Sequence, residues 1–258
     1  MFWKKKKEIV VHCYTDRPEV YNYFPVVESK KKIPEWFKKI PVPSFKKIED
    51  DNFKTLNLKQ CAGFLGYYGK GFMLPLWSDL ALTIGARNSS DYSWQYSDGC
   101  SNITPHAPEQ SNNHFDPLLY QHLKLVSPWQ FHCDEDIPFL AVEPGWQFDV
   151  LGTAHILSGV IDFKYQSATH VNVFCTREEK ETRLYWKAGM PLYHFIPLTD
   201  RKITLKTHLV SHEHYLRVAS KNSSVSFVRH YEERKKILEK SGCPFQHELS
   251  SESKGAVL

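Results

Sequence analysis

Residues 158–198 read SGVIDFKYQSATHVNVFCTREEKETRLYWKAGMPLYHFIPL, and this stretch decides the fold class. Apolar residues alternate with polar ones over Thr169–Thr176 (THVNVFCT) and again over Thr182–Trp186 (TRLYW). A period of two marks half-buried strands. The charged run 177–181 between them reads as a turn, so the two strands predict a hairpin. The turn Lys187–Gly189 and a further strand over Pro191–Pro197 extend this to a core β meander.

Working outward, strand-like segments recur every eight to twelve residues. They include Leu123–Trp129 with an interruption at Pro128, the IPFLAVEP segment from Ile137, Trp146–Leu151, His155–Phe163 and Lys202–Leu209. Regular short strands with turn residues between them predict an all-β architecture. No run alternates strands with long helices. The expectation is a mainly β chain: a single sandwich, barrel or β-clip of jelly-roll-like type. Residues 1–55 form an N-terminal arm with a strand over 7–14 and a short helix at IPEWFKKIP (Ile33–Pro41). Residues 56–220 form the β-rich core, with a short helix at CAGFLGYY from Cys61. A C-terminal helix falls within 221–242, and 243–258 is a disordered tail.

Hydrophobic residues make up 41% of the chain, aromatic residues 14% and charged residues 24%, with a formal net charge of +4. That composition buries a sizeable core, and aromatic enrichment favours sheet. The lysine and arginine runs at 4–7, 30–32 and 234–236 are read as solvated surface rather than a nucleic-acid footprint. The six cysteines lie at least 33 residues apart, which excludes zinc knuckles and CxxC redox pairs. No secretory leader and no apolar run of membrane-spanning length is seen. The expectation is a cytoplasmic protein with free thiols and no membrane association.

Three segments together resemble a family of unknown function found in tailed phages and some bacteria. They are IPEWFKKIP, the C-x-x-F…GFMLPLWSD block (Cys61–Asp79), and SPWQF (Ser127–Phe131) followed by SGVID. The resemblance implies a phage or bacterial source and, if phage-encoded, the host cytoplasm. It implies no activity. Separately, Gly159–Tyr165 (GVIDFKY) resembles the third motif of the dUTPase and dCTP deaminase family. There the Asp orients the attacking water and the Tyr stacks on the base, which implies those roles for Asp162 and Tyr165. The chain has no PRSS-like phosphate segment and no glycine-rich closing arm, and Lys164 precedes the tyrosine.

Other constellations carry chemistry by residue type alone. His114 and Asp116 have the HxD spacing of iron(II)/2-oxoglutarate oxygenases, with His170, His194, His208, His212 or His214 to complete a facial triad. HLVSHEH (His208–His214) reads as a histidine cluster rather than a zinc motif. Trp77, Trp94, Trp129, Trp146 and Trp186 are either core residues or a stacking platform for sugars or bases. Trp77 and Asp79 of the LPLWSD segment, Trp129 and Tyr165 are the candidate ligand-binding residues, and Asp162 is the candidate catalytic one. No GxSxG or phosphate loop is present. The sequence therefore predicts a non-enzymatic binding or structural module, whose partner is a protein, a second copy of the chain or a nucleotide. The alternatives are a nucleotide-hydrolysing dUTPase relative and an HxD oxygenase, and no cofactor is identified.

Overall fold

A computed structural model describes residues 8–41, 57–112, 114–147, 151–220, 232–233 and 235–236. Its strands in chain order are β1 (Ile9–Thr15), β2 (Val27–Glu28), β3 (Phe72–Pro75), β4 (Leu80–Ile84), β5 (Tyr92–Tyr96), β6 (Ile103–Pro105), β7 (Tyr120–Leu125) and β8 (Gln130–Cys133). They continue with β9 (Pro138–Val142), β10 (Ala154–Ile156), β11 (Gly159–Asp162), β12 (Val171–Thr176), β13 (Thr182–Trp186), β14 (Pro191–Pro197) and β15 (Ile203–Leu209). The helices are α1 (Pro18–Tyr23), α2 (Glu35–Lys39), α3 (Ala62–Tyr68) and α4 (His212–Ser220). The chain is mainly β, as its periodicity predicts, and no closed barrel forms among the described residues.

The strands form four sheets, ordered β15-β1-β8, β10-β12-β7-β6, β11-β9-β14-β3-β2 and β13-β4-β5. The expected meander over 158–198 is absent. None of β11, β12, β13 and β14 pairs with another of the four. The predicted β12–β13 hairpin is also absent: β12 pairs with β7 and β10, while β13 pairs with β4. After β12 the buried Arg177 bonds carbonyls of the β4–β5 loop, and the exposed run 178–181 then carries the chain to β13 in another sheet. Pro128 has a comparable effect. It separates β7 from β8, and the two halves of that apolar run join different sheets.

The strand read in the N-terminal arm is β1, and it lies at the centre of its sheet, parallel to β15 and antiparallel to β8. Its inward residues Ile9, Val11 and Cys13 are buried in the main core, which draws residues from all four sheets. At the middle of that core, Phe72, Phe131, Phe139, Phe163 and Phe195 meet with ring centroids 4.9 to 6.0 Å apart. Edge and offset contacts of this kind add about 0.5–1.5 kcal/mol per pair beyond area burial.

A smaller cluster explains α2 and α3. Phe37 stacks on Phe64 at 3.9 Å and 10°, and both pack with Tyr68 and Met73. The short predicted helix thus fixes the first part of the chain to β3. The helix expected within 221–242 and the tail 243–258 lie outside the described residues, apart from helical residues 232–233 and 235–236. The helix that is described in the C-terminal part, α4, begins inside the HLVSHEH segment. No helix among the described residues is long and apolar enough to cross a membrane.

Candidate functional site

The four-stranded sheet has one buried face and one open face. Leu123, Leu125, Val171, Val173 and Cys175 point into the core. Successive side chains alternate across a strand, so Tyr120 and His122 of β7 and Asn172 and Phe174 of β12 point outward. The antiparallel register pairs His122 with Phe174 and Tyr120 with Thr176. Tyr120 and His122 lie 5.1 and 5.9 Å from Phe174, centroid to centroid.

The segment between β6 and β7 folds over this face. Phe115 sets its ring edge against Phe174 at 4.8 Å, and His106 stacks on His122 at 4.0 Å and 16°. Between these rings lies a cleft of about 650 Å³ that also touches Tyr92 of β5. Fourteen of the described residues line it, and none of these is Asp, Glu, Lys or Arg. In a chain that is 24% charged, this is a marked local depletion. Trp94 stacks on Tyr92 at 5.9 Å and 11°, carrying the aromatic surface beyond the cleft.

Most polar groups of the cleft are already satisfied. Gln121 Oε1 accepts from Arg177 Nη2 at 2.8 Å. Ser111 Oγ donates to Pro108 O at 2.9 Å, and His106 is held by Gln110 and by Asn172 Oδ1. His122 Nε2 is buried and has no hydrogen-bond partner. Burial, followed by the neighbouring His106, pushes the His122 pKa down to about 4, so this imidazole is neutral near pH 7.

Arg177 anchors the cleft from below. Its Nε donates to Pro117 O at 2.9 Å, and its backbone N–H donates to Leu119 O at 2.8 Å. Nη1 reaches Gly85 O and Asp91 O, at 3.2 and 2.8 Å. One buried guanidinium therefore ties the start of β7 and the β4–β5 loop to the end of β12.

The residues singled out by type are placed otherwise. His114 and Asp116 sit exposed on the loop that carries Phe115. Asp116 Oδ1 accepts from Leu118 N–H at 2.9 Å and so shapes a turn. No group of three His, Cys, Asp or Glu side chains suited to a metal is found among the described residues. The facial triad is therefore not assembled. His208 instead lies 2.9 Å from His12, His212 pairs with Asp16 across the β1–α1 turn, and His194 is in the core.

Trp77 and Trp129 are buried, at 1% and 0% exposure, and cannot stack on a ligand. Asp79 accepts from Ala188 N–H at 2.7 Å and from Tyr185 Oη at 2.8 Å, which fixes the 187–189 turn. Among the other tryptophans, Trp186 is core, while Trp94 and Trp146 belong to different clusters. No single tryptophan platform exists.

Asp162 and Tyr165 do come together, in the company of Asp136. The Asp162 and Asp136 carboxyl groups hydrogen-bond each other, and Tyr165 Oη donates to Asp136 Oδ2 at 2.9 Å. Tyr165 is 1% exposed, and the ammonium groups of Lys164 and Lys235 lie 5.5 and 5.3 Å from its ring centroid. No open ring face remains for a base.

Burial, then Asp136, pushes the Asp162 pKa up to about 7. The hydrogen bond from Asp162 holds Asp136 below its usual range. A carboxyl raised on folding stabilises the native state fully below the unfolded value of 3.8 and loses that contribution as pH rises through about 7. Asp162→Asn mimics the protonated form. It is expected to add about 1–2 kcal/mol at pH 8, discounted for partial solvent screening, and almost nothing at pH 3. Urea melts at the two pH values measure this. Equal gains at both would refute a shared proton.

A serine–histidine contact escaped the sequence reading altogether. Ser29 Oγ lies 2.8 Å from His194 Nε2, and both residues are buried. The same Nε2 is 2.7 Å from Lys70 O, which can only accept, so it carries the proton. A protonated Nε2 cannot deprotonate Ser29. The pair is a structural tie between the first described segment, the α3–β3 loop and β14.

Comparison with protein-family models, curated proteins and solved structures gave no match.

Proposed function

We propose that this protein is a non-enzymatic binding module and that the aromatic cleft over β6, β7 and β12 is its site. The observation that carries the proposal is a mainly apolar, preformed cavity of about 650 Å³ with no Asp, Glu, Lys or Arg among the described residues that line it. Ligand sites are typically concave, mainly apolar and roughly 300–1,000 Å³ in volume. The absence of Lys and Arg argues against phosphorylated ligands there, since phosphate recognition draws on charge-assisted donors. The similarity of Ile33–Pro41, Gly71–Asp79 and Ser127–Phe131 to the tailed-phage family adds a lineage to this proposal and no chemistry.

The dUTPase-like alternative rests on Asp162, and its tyrosine is already covered. The oxygenase alternative has no converging third ligand among the described residues. A thermal-shift screen separates the three. Uncharged aromatic compounds are expected to raise the melting temperature, and Phe174→Ala to weaken their binding about tenfold or more, the loss of one well-packed ring contact. Stabilisation by dUTP, dCTP or 2-oxoglutarate that is insensitive to Phe174→Ala would refute the proposal.

A further inference from the structure

We propose that the Asp136–Asp162 acid pair is a proton-controlled latch for the C-terminal segment, which it holds through Lys235 more tightly once Asp162 has lost its proton. The latch does not depend on the aromatic cleft.

Four side chains from three parts of the chain meet here. Asp162 ends β11 opposite Pro138, and that register sets Asp136 alongside it. The two carboxyl groups share a hydrogen bond, and Tyr165 Oη donates to Asp136 Oδ2 at 2.9 Å. Lys235 Nζ lies 3.4 Å from the same Oδ2 and 5.3 Å from the Tyr165 ring centroid. It comes from the helical residues 232–233 and 235–236, far along the chain from both acids.

A hydrogen bond between two carboxyl groups needs one proton. With the proton present, the pair carries one negative charge. With the proton lost, it carries two within contact distance, and each disfavours the other unless a cation is near. Lys235 is the cation already seated on Asp136. Lys164 is a second ammonium at the Tyr165 ring, 5.5 Å from its centroid.

Asp162 sets the pH at which the charge changes. Burial, then Asp136, raises its pKa to about 7, whereas Lys235 acts in the opposite sense. Coupling between two sites is reciprocal. If Lys235 favours the ionised form of Asp162, ionisation of Asp162 favours the seating of Lys235 by the same factor. The contact is therefore weaker below pH 7 and stronger above it. The surrounding acids are held by partners of their own. Hydrogen bonds from His132 and Asp162 keep Asp134 and Asp136 below their usual range, and Glu135 is paired with Arg201. Burial pushes the Cys133 thiol up to about 11, so it stays neutral. Glu232, Glu233 and Lys236 flank Lys235 and are exposed.

Two measurements on the full chain test this. Carboxyl ¹³C NMR follows Asp162, whose midpoint is expected near pH 7 in the parent and higher in Lys235→Gln, with Lys235→Arg restoring the parent value. Hydrogen exchange, corrected for its intrinsic pH dependence, follows the helical residues around Lys235. Their protection is expected to be about two- to fivefold greater at pH 8 than at pH 6, the range of a partly exposed ion pair. Asp162→Asn keeps a hydrogen-bond donor toward Asp136 and cannot ionise, so it is expected to abolish that difference. An Asp162 midpoint unmoved by Lys235→Gln would overturn the latch. So would equal protection at the two pH values in the parent, or a difference that survives in Asp162→Asn.

Discussion

Replacing Arg177 with alanine is expected to cost about 3–5 kcal/mol of stability, the range for uncoupling a buried hydrogen-bonded charge. The guanidinium is completely buried, and none of its hydrogen bonds described above is to a carboxylate. Three backbone carbonyls and one side-chain amide oxygen take the place of water around it. Removing the side chain leaves those acceptors facing a void, so an unsatisfied-polar cost adds to a cavity cost. For a chain of this size the loss corresponds to a melting temperature roughly 10 °C lower. Lysine should not rescue it. An ammonium keeps the charge but not the planar fork that reaches Pro117, Gly85, Asp91 and Gln121 together. Arg177→Lys is expected to lose about 2–3 kcal/mol. Because Pro117 and Gln121 line the cleft, both variants are also expected to weaken binding of uncharged aromatic compounds in the molecules that remain folded. A thermal melt of Arg177→Ala within 2 °C of the parent would refute the clamp.

Arg177 also shows where sequence reading stops. Alternation in THVNVFCT and TRLYW marks both strands correctly, because local burial on one face writes the pattern. Pairing depends on partners far away in the chain. Arginine followed by four glutamate or lysine residues reads as a solvated turn, and nothing local says that distant carbonyls at Gly85, Asp91 and Pro117 will surround it. The aromatic cleft was half legible. Phe174 and Tyr120 occupy the outward phase of their strands, and an aromatic ring in that phase is an available signal of a site. The closing loop drew attention to His114 and Asp116 by their spacing, whereas the residue that reaches Phe174 is Phe115 between them. Asp162 was visible as an unusual acid, yet its partner was not. Only the β11–β9 register, which sets Asp162 opposite Pro138, brings Asp136 alongside.

Gly71→Ala should be comparably destabilising, by about 3–5 kcal/mol, from two additive causes. Gly71 has φ +73°, a region that L residues occupy only with strain. A Cβ there would lie 1.9 Å from Phe195 O and 3.1 Å from Pro197 Cδ. Neither side can yield cheaply. The next residue, Phe72, pairs with Phe195, and Gly71 O accepts from Ser29 N–H at 3.2 Å. Moving Gly71 would therefore loosen β3 from β14 and release the segment that Ser29 anchors. Gly66 provides the control. It lies within α3 with nothing within 4 Å of an added Cβ, so Gly66→Ala is expected to stabilise by about 0.5–1 kcal/mol. Denaturant melts of the two variants should move in opposite directions, and a common direction would defeat the steric account. The contrast bears on function as well. Gly71 opens the GFMLPLWSD segment, whose Phe72, Leu74, Leu76 and Trp77 are buried and whose Asp79 fixes a turn. That segment builds the scaffold and contributes nothing to the lining of the cleft. Gly71→Ala should therefore lower the folded fraction while leaving affinity for aromatic compounds per folded molecule unchanged, the reverse of Phe174→Ala, which should keep the fold and lose the compound.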